Sequence, residues 1–323
     1  MELPFYVRAL TEELALGYSL SELRKNSSEL TDKYRNGTKD GRRLSVSDRD
    51  ALVYSLVRMP ATFAAVYSAL SYAAEGIEED IRSVFDAGAG TGAAGIAAAE
   101  LFPVEELVCV EREPAMRRLG KRFFEYSSHQ CLRAAEWISS DLQSIDADKK
   151  RDLVTASYML NEMNESDREA SALKLWEMTE KLLVIIEPGT PEGYRQLMDA
   201  RKTLVSAGAY ISAPCMHSGE CPLKEDDWCH FSARVQRSRI HKQIKNADAP
   251  YEDEKFFYMA FSRTPPEKTG ERILRHPVTE KGRITLTLCG ENGIRNVTVT
   301  KKQKEAYRSL RHSKWGDNAG VFD

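Results

Sequence analysis

The chain has 323 residues, with 46 Lys or Arg against 49 Asp or Glu and a net charge of −3. That length can bury a large core and allows one domain with additions, or two. The slightly acidic total argues against indiscriminate nucleic-acid binding. No stretch approaches the roughly 20 apolar residues of a membrane span, and no signal-type run precedes the cysteines, which argues against a disulfide-stapled secreted protein.

Residues 1–80 read as helical. Leu10, Leu14, Leu20 and Leu23 recur among polar residues, and Ser47 with Asp50 makes a capping start before ALVYSLVRMPATFAAVYSAL. The reading is a helical cap leaning on the body of the chain, closed by an acidic stretch from Glu75 to Asp80. From Arg82 the pattern changes to short β-branched runs, SVFDAG, ELVCVE, AEWISSD, DLVTAS and LLVIIEPG, alternating with helical stretches. Apolar runs bounded by turns, spaced by crossover helices, make a parallel sheet buried on both faces. The expected fold is α/β, a doubly wound Rossmann-like sheet over residues 81–263. GAYISAP and KFFYMAFSR read as its last strands, which makes residues 214–250 or so an insertion between them. Residues 264–323 form a basic extension in which RITLTLCG and IRNVTVTK flank Glu291-Asn292-Gly293, the pattern of a β-hairpin or a small barrel piece.

Asp86-Ala87-Gly88-Ala89-Gly90-Thr91-Gly92 follows a strand and opens an alanine-rich helix, the setting a nucleotide loop needs. Glycines let the backbone turn and approach a ligand closely, and the helix N-terminus offers free N–H groups. Gly90, Gly92 and Gly95 also satisfy a dinucleotide fingerprint, so NAD, FAD and a merely structural loop stay open. Glu111, about 20 residues on, can accept from ribose hydroxyls, Asp141 can meet an adenine amino group, and Asp86 can orient a cationic amino acid. Together these favour S-adenosylmethionine. The fourth strand runs into Ser157-Tyr158-Met159-Leu160-Asn161-Glu162-Met163 without the Asn-Pro-Pro-Tyr clamp of amino-group methyltransferases, so catalytic residues are unknown; Asn161 and Glu162 are candidates to hold a substrate. Cys109 and Cys131 read as core residues.

Cys215, Cys221 and Cys229 lie within 15 residues, and Cys289 follows after 59 more. Four thiolates can close the shell of a [4Fe–4S] cluster or of a structural zinc, with His217 and His230 as substitute ligands. Plain buried thiols are the third reading, disfavoured because Pro214, Gly219, Pro222 and the acids Glu225 to Asp227 leave the segment little core of its own. Basic residues cluster after the third cysteine (Arg234, Arg237, Arg239, Lys242, Lys245) and through the tail (Arg272, Arg275, Lys281, Arg283, Arg295, Lys301, Lys302, Lys304, Arg308, Arg311, Lys314), and are expected to form one surface for phosphates.

PGTPEGYRQLMDARKTLVSAGAYISAPCMHSGECPLKEDDWCHFSARVQRSRIHKQIKNADAPYEDEKFFYMAFSR resembles the signature of the methyltransferase-like family associated with the mitochondrial and bacterial small ribosomal subunit. The resemblance extends from RMPATFAAV and DAGAGTG to the closing KWGD, most of residues 50–318. It implies a role in small-subunit assembly and translation, a cluster on Cys215, Cys221, Cys229 and Cys289, and a cofactor loop at Asp86, Gly88, Gly90 and Gly92. The expectation is an S-adenosylmethionine-dependent methyltransferase-like protein of small-subunit rRNA. The alternative is a non-catalytic assembly factor or RNA-binding protein stapled by zinc. Radical chemistry is disfavoured because the compact Cys-x3-Cys-x2-Cys spacing is absent. The chain is expected to be a monomer of the prokaryotic cytoplasm, or of the mitochondrial matrix if a transit peptide has been removed.

Overall fold

The computed structural model describes residues 1–36, 46–75, 77, 79–224 and 226–321. Glu78 and Glu225, both within the acidic stretches of the sequence, lie outside them. Four helices open the chain: α1 (Phe5–Ala15), α2 (Leu20–Asn36), α3 (Asp48–Val57) and α4 (Met59–Ala74). The predicted start of α3 is a complete capping box, in which Asp50 N–H donates to the Ser47 hydroxyl and Ser47 N–H to the Asp50 carboxylate. Two N–H groups that a helix end leaves free are thereby satisfied. α4 is more than a cap. Phe63, Val66 and Leu70 are buried in the main hydrophobic core with the residues of the sheet.

The five predicted strands are β1 (Ser83–Ala87), β2 (Glu106–Val110), β3 (Glu136–Ile138), β4 (Arg151–Ser157) and β5 (Thr179–Pro188), joined by α5 (Ala93–Leu101), α6 (Pro114–Glu125), α7 (Gln130–Arg133) and α8 (Glu165–Glu177). They pair in parallel in the order β3-β2-β1-β4-β5. Val84, Leu153, Leu183 and Ile185 have no exposed surface, as strands covered on both faces require. After α9 (Pro191–Ser206) come β6 (Tyr210–Ala213), β7 (Phe231–Gln236), α10 (Arg239–Lys245) and β8 (Tyr251–Ser262). β8 lies antiparallel between β5 and β6, so the sheet is mixed at this end.

β7 was not expected. FSARVQ alternates, burying Phe231, Ala233 and Val235, and pairs with the charged first half of β8. This pairing accounts for the length of β8, whose YEDEK start pairs with β7 while FFYMAF runs through the centre of the core.

The tail is a small sheet of β9 (Arg272–Ile273), β10 (Val278–Glu280), β11 (Arg283–Gly290) and β12 (Gly293–Thr300), backed by α11 (Lys304–Leu310). The predicted hairpin is present, paired from Arg283↔Thr300 to Gly290↔Gly293 around Glu291-Asn292. It has its own core of Ile273, Ile284, Leu286, Leu288, Val299 and Leu310.

The single basic surface does not form as expected, because many of its members are occupied. Arg234 bonds Asp253 through two nitrogens, Arg237 holds Glu252, Arg275 grips both oxygens of Asp227, Arg283 pairs with Glu280 and Arg295 with Glu271. Arg272 is only 3% exposed and donates to the carbonyls of Pro214 and Gly316 and to Glu75. It ties the start of the insertion, the closing KWGD and the end of α4 to one guanidinium, whose fork of donors suits such a junction.

Candidate functional site

The glycine loop opens onto a cleft of about 1060 Å³ at the C-terminal ends of β1, β2, β4 and β5, the place where open α/β sheets bind ligands. Gly88, Gly90, Glu111 and Asp141 line it. Gly88 and Gly90 have φ of +68° and +55°, a region that only glycine visits freely. A Cβ on Gly90 would meet nothing nearer than Met116 at 3.7 Å, so the space beside it is open. One Glu111 oxygen accepts from Gly90 N–H at 2.7 Å and the other from Glu113 N–H at 2.7 Å, and burial raises this carboxyl's pKa. Each oxygen keeps a lone pair for a ligand. Asp141 stands at the exposed rim, 3.5 Å from Arg112.

Three expected loop residues do not face the cleft. Asp86 is fully buried beneath the loop, where it accepts from the Thr155 hydroxyl at 2.9 Å, and burial pushes its pKa to about 7. Its task is to brace the turn against β4, so orientation of a cationic amino acid does not fall to it in this arrangement. Thr91 is 1% exposed and donates to Met59 Sδ. Gly92 caps α5, and a Cβ there would lie 2.5 Å from the Phe124 ring; close packing, not ligand approach, demands that glycine.

The facing wall is the segment after β4. Tyr158 is strained at φ +56° and donates to Glu254 at 3.2 Å. Asn161 and Glu162 line the cleft, and burial pushes Glu162 up to about 7. Beneath them Glu187 has no exposed surface, accepts from Leu160 N–H at 2.9 Å, and is pushed up to about 8 by burial. Glu187 escaped the sequence reading, although an acid ending the apolar run LLVII was the available signal.

The cysteines converge. Cys215, Cys221, Cys229 and Cys289 line one small cavity with Tyr194, His217 and Phe257. All four are free thiols. Neighbouring thiols and, above all, burial raise the pKa of Cys215, Cys229 and Cys289, the last to about 12. The Tyr194 hydroxyl meets Cys221, and Cys289 Sγ is 3.8 Å from His217 Nε2. Among the described residues, no group of three or more His, Cys, Asp or Glu is placed so that it could hold a metal ion. His230 points elsewhere, sandwiched between Trp228 and Trp315. Cys109 and Cys131 are buried core residues, as expected.

One indole links the two places. Trp228, beside Cys229, donates its ring N–H to Gly189 O at 3.0 Å, and the flanking Pro188 and Thr190 line the cleft.

The model of the family described as mitochondrial small ribosomal subunit Rsm22 matches residues 48–319. The chain belongs to this family. The Rsm22 match takes in the glycine loop, all four clustered cysteines and the closing KWGD. A human relative, the mitochondrial ribosome assembly protein METTL17, is 26% identical over 95% of this chain and 68% of its own length. A Schizosaccharomyces pombe relative, mitochondrial Rsm22-cox11 tandem protein 2, is 25% identical over 86% of this chain, which spans only 44% of that protein. The expectation of a prokaryotic cytoplasm gains no support from these mitochondrial relatives. Among solved structures, the Synechocystis magnesium protoporphyrin IX methyltransferase with bound SAM is 15% identical, with a TM-score of 0.42 over 72% of this chain and 91% of that one. The Bradyrhizobium japonicum N-methyltransferase NodS is 11% identical, with a TM-score of 0.43 over 73% and 97%. No helix among the described residues is long and apolar enough to cross a membrane.

Proposed function

We propose that this chain binds S-adenosylmethionine in the cleft, carries a [4Fe–4S] cluster on Cys215, Cys221, Cys229 and Cys289, and acts as a monomer on the small ribosomal subunit or its RNA during assembly. The observation that carries the reading is the meeting of four unbridged thiols, from an inserted loop and a terminal hairpin, in one cavity beside the cofactor sheet. Structural zinc, held by four thiolates at about 2.3 Å, is the competing occupant of the same cavity. Four cysteine thiolates are also the ligand set of a [4Fe–4S] cluster. When bound it supplies a rigid cross-link between loop and hairpin.

In the cleft, Gly88 and Gly90 admit the cofactor to the backbone, Glu111 accepts from the ribose hydroxyls, and Asp141 meets the adenine at the rim. S-adenosylmethionine supplies an activated methyl group when bound. Glu162, with a pKa near 7, stands on the wall as the group to take a proton from an attacking nitrogen or oxygen. A non-catalytic assembly role is the second reading, in which Tyr158, tied to Glu254 on the cleft wall, is part of a fixed surface.

Anaerobic purification with iron and sulfide analysis, calorimetric titration of S-adenosylmethionine, and co-sedimentation with small-subunit precursors test the parts separately. The reading expects about four irons and a brown chromophore, a saturable cofactor site, and co-sedimentation. Methyl incorporation into precursor RNA decides for the enzyme; co-sedimentation that survives Gly90→Arg without incorporation decides for the assembly factor. One tightly held zinc in place of iron overturns the cluster.

A further inference from the structure

Arg234 and Arg237 after the third cysteine, and Arg283 and Arg295 of β11 and β12, are paired with neighbouring carboxylates, which leaves the densest run of unpaired cations in the tail. Between residues 301 and 314 stand Lys301, Lys302, Lys304, Arg308, Arg311 and Lys314 against the single acid Glu305. All six cations are exposed, and among the described residues none has a carboxylate partner. Six against one is a balance of +5 in a chain whose total is −3, which leaves −8 on the remainder.

The arrangement is ordered. Lys304, Arg308 and Arg311 succeed each other at steps of four and three, which puts them on one side of α11, while Leu310, Ala306 and Tyr307 anchor the other side to the small core of the ribbon. Lys301 is pinned to the β10–β11 turn by its N–H bond to Gly282 O, which brings the exposed Lys281 alongside. Helix stability does not explain the pattern. Arg308 and Arg311 suit the C-terminal end of α11, but Lys301, Lys302 and Lys304 crowd its N-terminal end, where the helix dipole disfavours cations.

We propose that this stripe on the terminal ribbon, and not the arginines of the insertion, is the surface on which the chain takes the phosphate backbone of RNA. The chemistry selects RNA over an acidic protein. A protein interface needs apolar or aromatic anchors at its centre, and none of the exposed large hydrophobic residues falls between 301 and 314. Backbone recognition of nucleic acid needs only lysine, arginine and polar donors such as Gln303, Ser309 and Ser313. The body's negative balance repels phosphate and so turns the ribbon toward it. The inference rests on the small-subunit reading for its biological partner, while its own test uses RNA alone.

The test is fluorescence anisotropy of a labelled stem-loop RNA with the full chain across a potassium chloride series. The triple variant Lys304→Gln, Arg308→Gln, Arg311→Gln is expected to weaken binding at least tenfold near 100 mM salt and to flatten the log–log salt slope by about 2 to 3 units, at roughly 0.7–0.9 per lost phosphate contact. The control triple Lys121→Gln, Arg122→Gln, Lys202→Gln removes the same charge from exposed positions elsewhere and is expected to leave both unchanged. Equal losses in the two triples, an unaltered slope in the first, or no RNA binding by the wild type overturns the proposal. Displacement of RNA by polyglutamate at equal charge concentration assigns the stripe to an acidic protein instead. RNA binding through the stripe without co-sedimentation with small-subunit precursors sinks the assembly reading and leaves this one standing.

Discussion

At the scale of single residues, the glycine loop divides into members that face the cleft and members packed into the fold. Gly90 beside open space and Gly92 against Phe124 share a positive φ but not a neighbourhood. Gly90→Ala is expected to cost about 1 kcal/mol from backbone strain and to weaken cofactor binding, whereas Gly92→Ala adds overpacking to strain and costs about 3 kcal/mol; chemical denaturation of both variants checks the order. Glu187 gives a pH signature. Its folded pKa of about 8 lies above the ordinary carboxylate value, so the folded state binds the extra proton. The stability this contributes is complete below the unfolded pKa and is lost as pH rises through 8, at up to about 1.4 kcal/mol per unit. Glu187→Gln keeps an acceptor for Leu160 N–H, and its stability is expected to fall less between pH 5 and 8 in denaturation curves. The positions of Glu111 and Asp141 on the cleft were legible in the sequence because strand ends are where side chains leave a parallel sheet. Those of Asp86 and Thr91 were not, since a motif gives the turn and not the direction in which each side chain points.

At the scale of elements, strands with uniform apolar character announced themselves, and β1 to β5 stand where their runs predicted. β7 was missed because Arg234 and Arg237 drew attention to charge, while the alternation of Phe231, Ala233 and Val235 carried the structural information. The charged start of β8 hid its length for the same reason. Arg272 shows the limit most clearly: in sequence it is one cation among many, and only the meeting of α4, the insertion and the ribbon makes it a buried junction. Arg272→Met, which leaves the Pro214 and Gly316 carbonyls without their donor, is expected to destabilise the chain by about 3 kcal/mol. Arg272→Lys should rescue little of this, since one ammonium cannot span the same partners. Thermal melts of both variants check the pair.

At the scale of the whole molecule, the insertion and the terminal ribbon contribute three and one of the four clustered cysteines, and their chain separation hides the meeting from any local pattern. Cys289→Ser is expected to lose the chromophore and to loosen the ribbon, so that trypsin cuts near Lys268 faster than in the wild type; cleavage at an unchanged rate would separate ribbon docking from the thiols. The Trp228 bond to Gly189 carries the same logic to the nucleotide end. Loss of the proposed cluster would slacken the loop first beside Cys229, and the indole would hand that slack to Gly189 at the edge of the cleft. Iron starvation would then silence the nucleotide bay without any cysteine touching it, a dependence that shows as weaker cofactor affinity after chelation and as a smaller difference in Trp228→Phe.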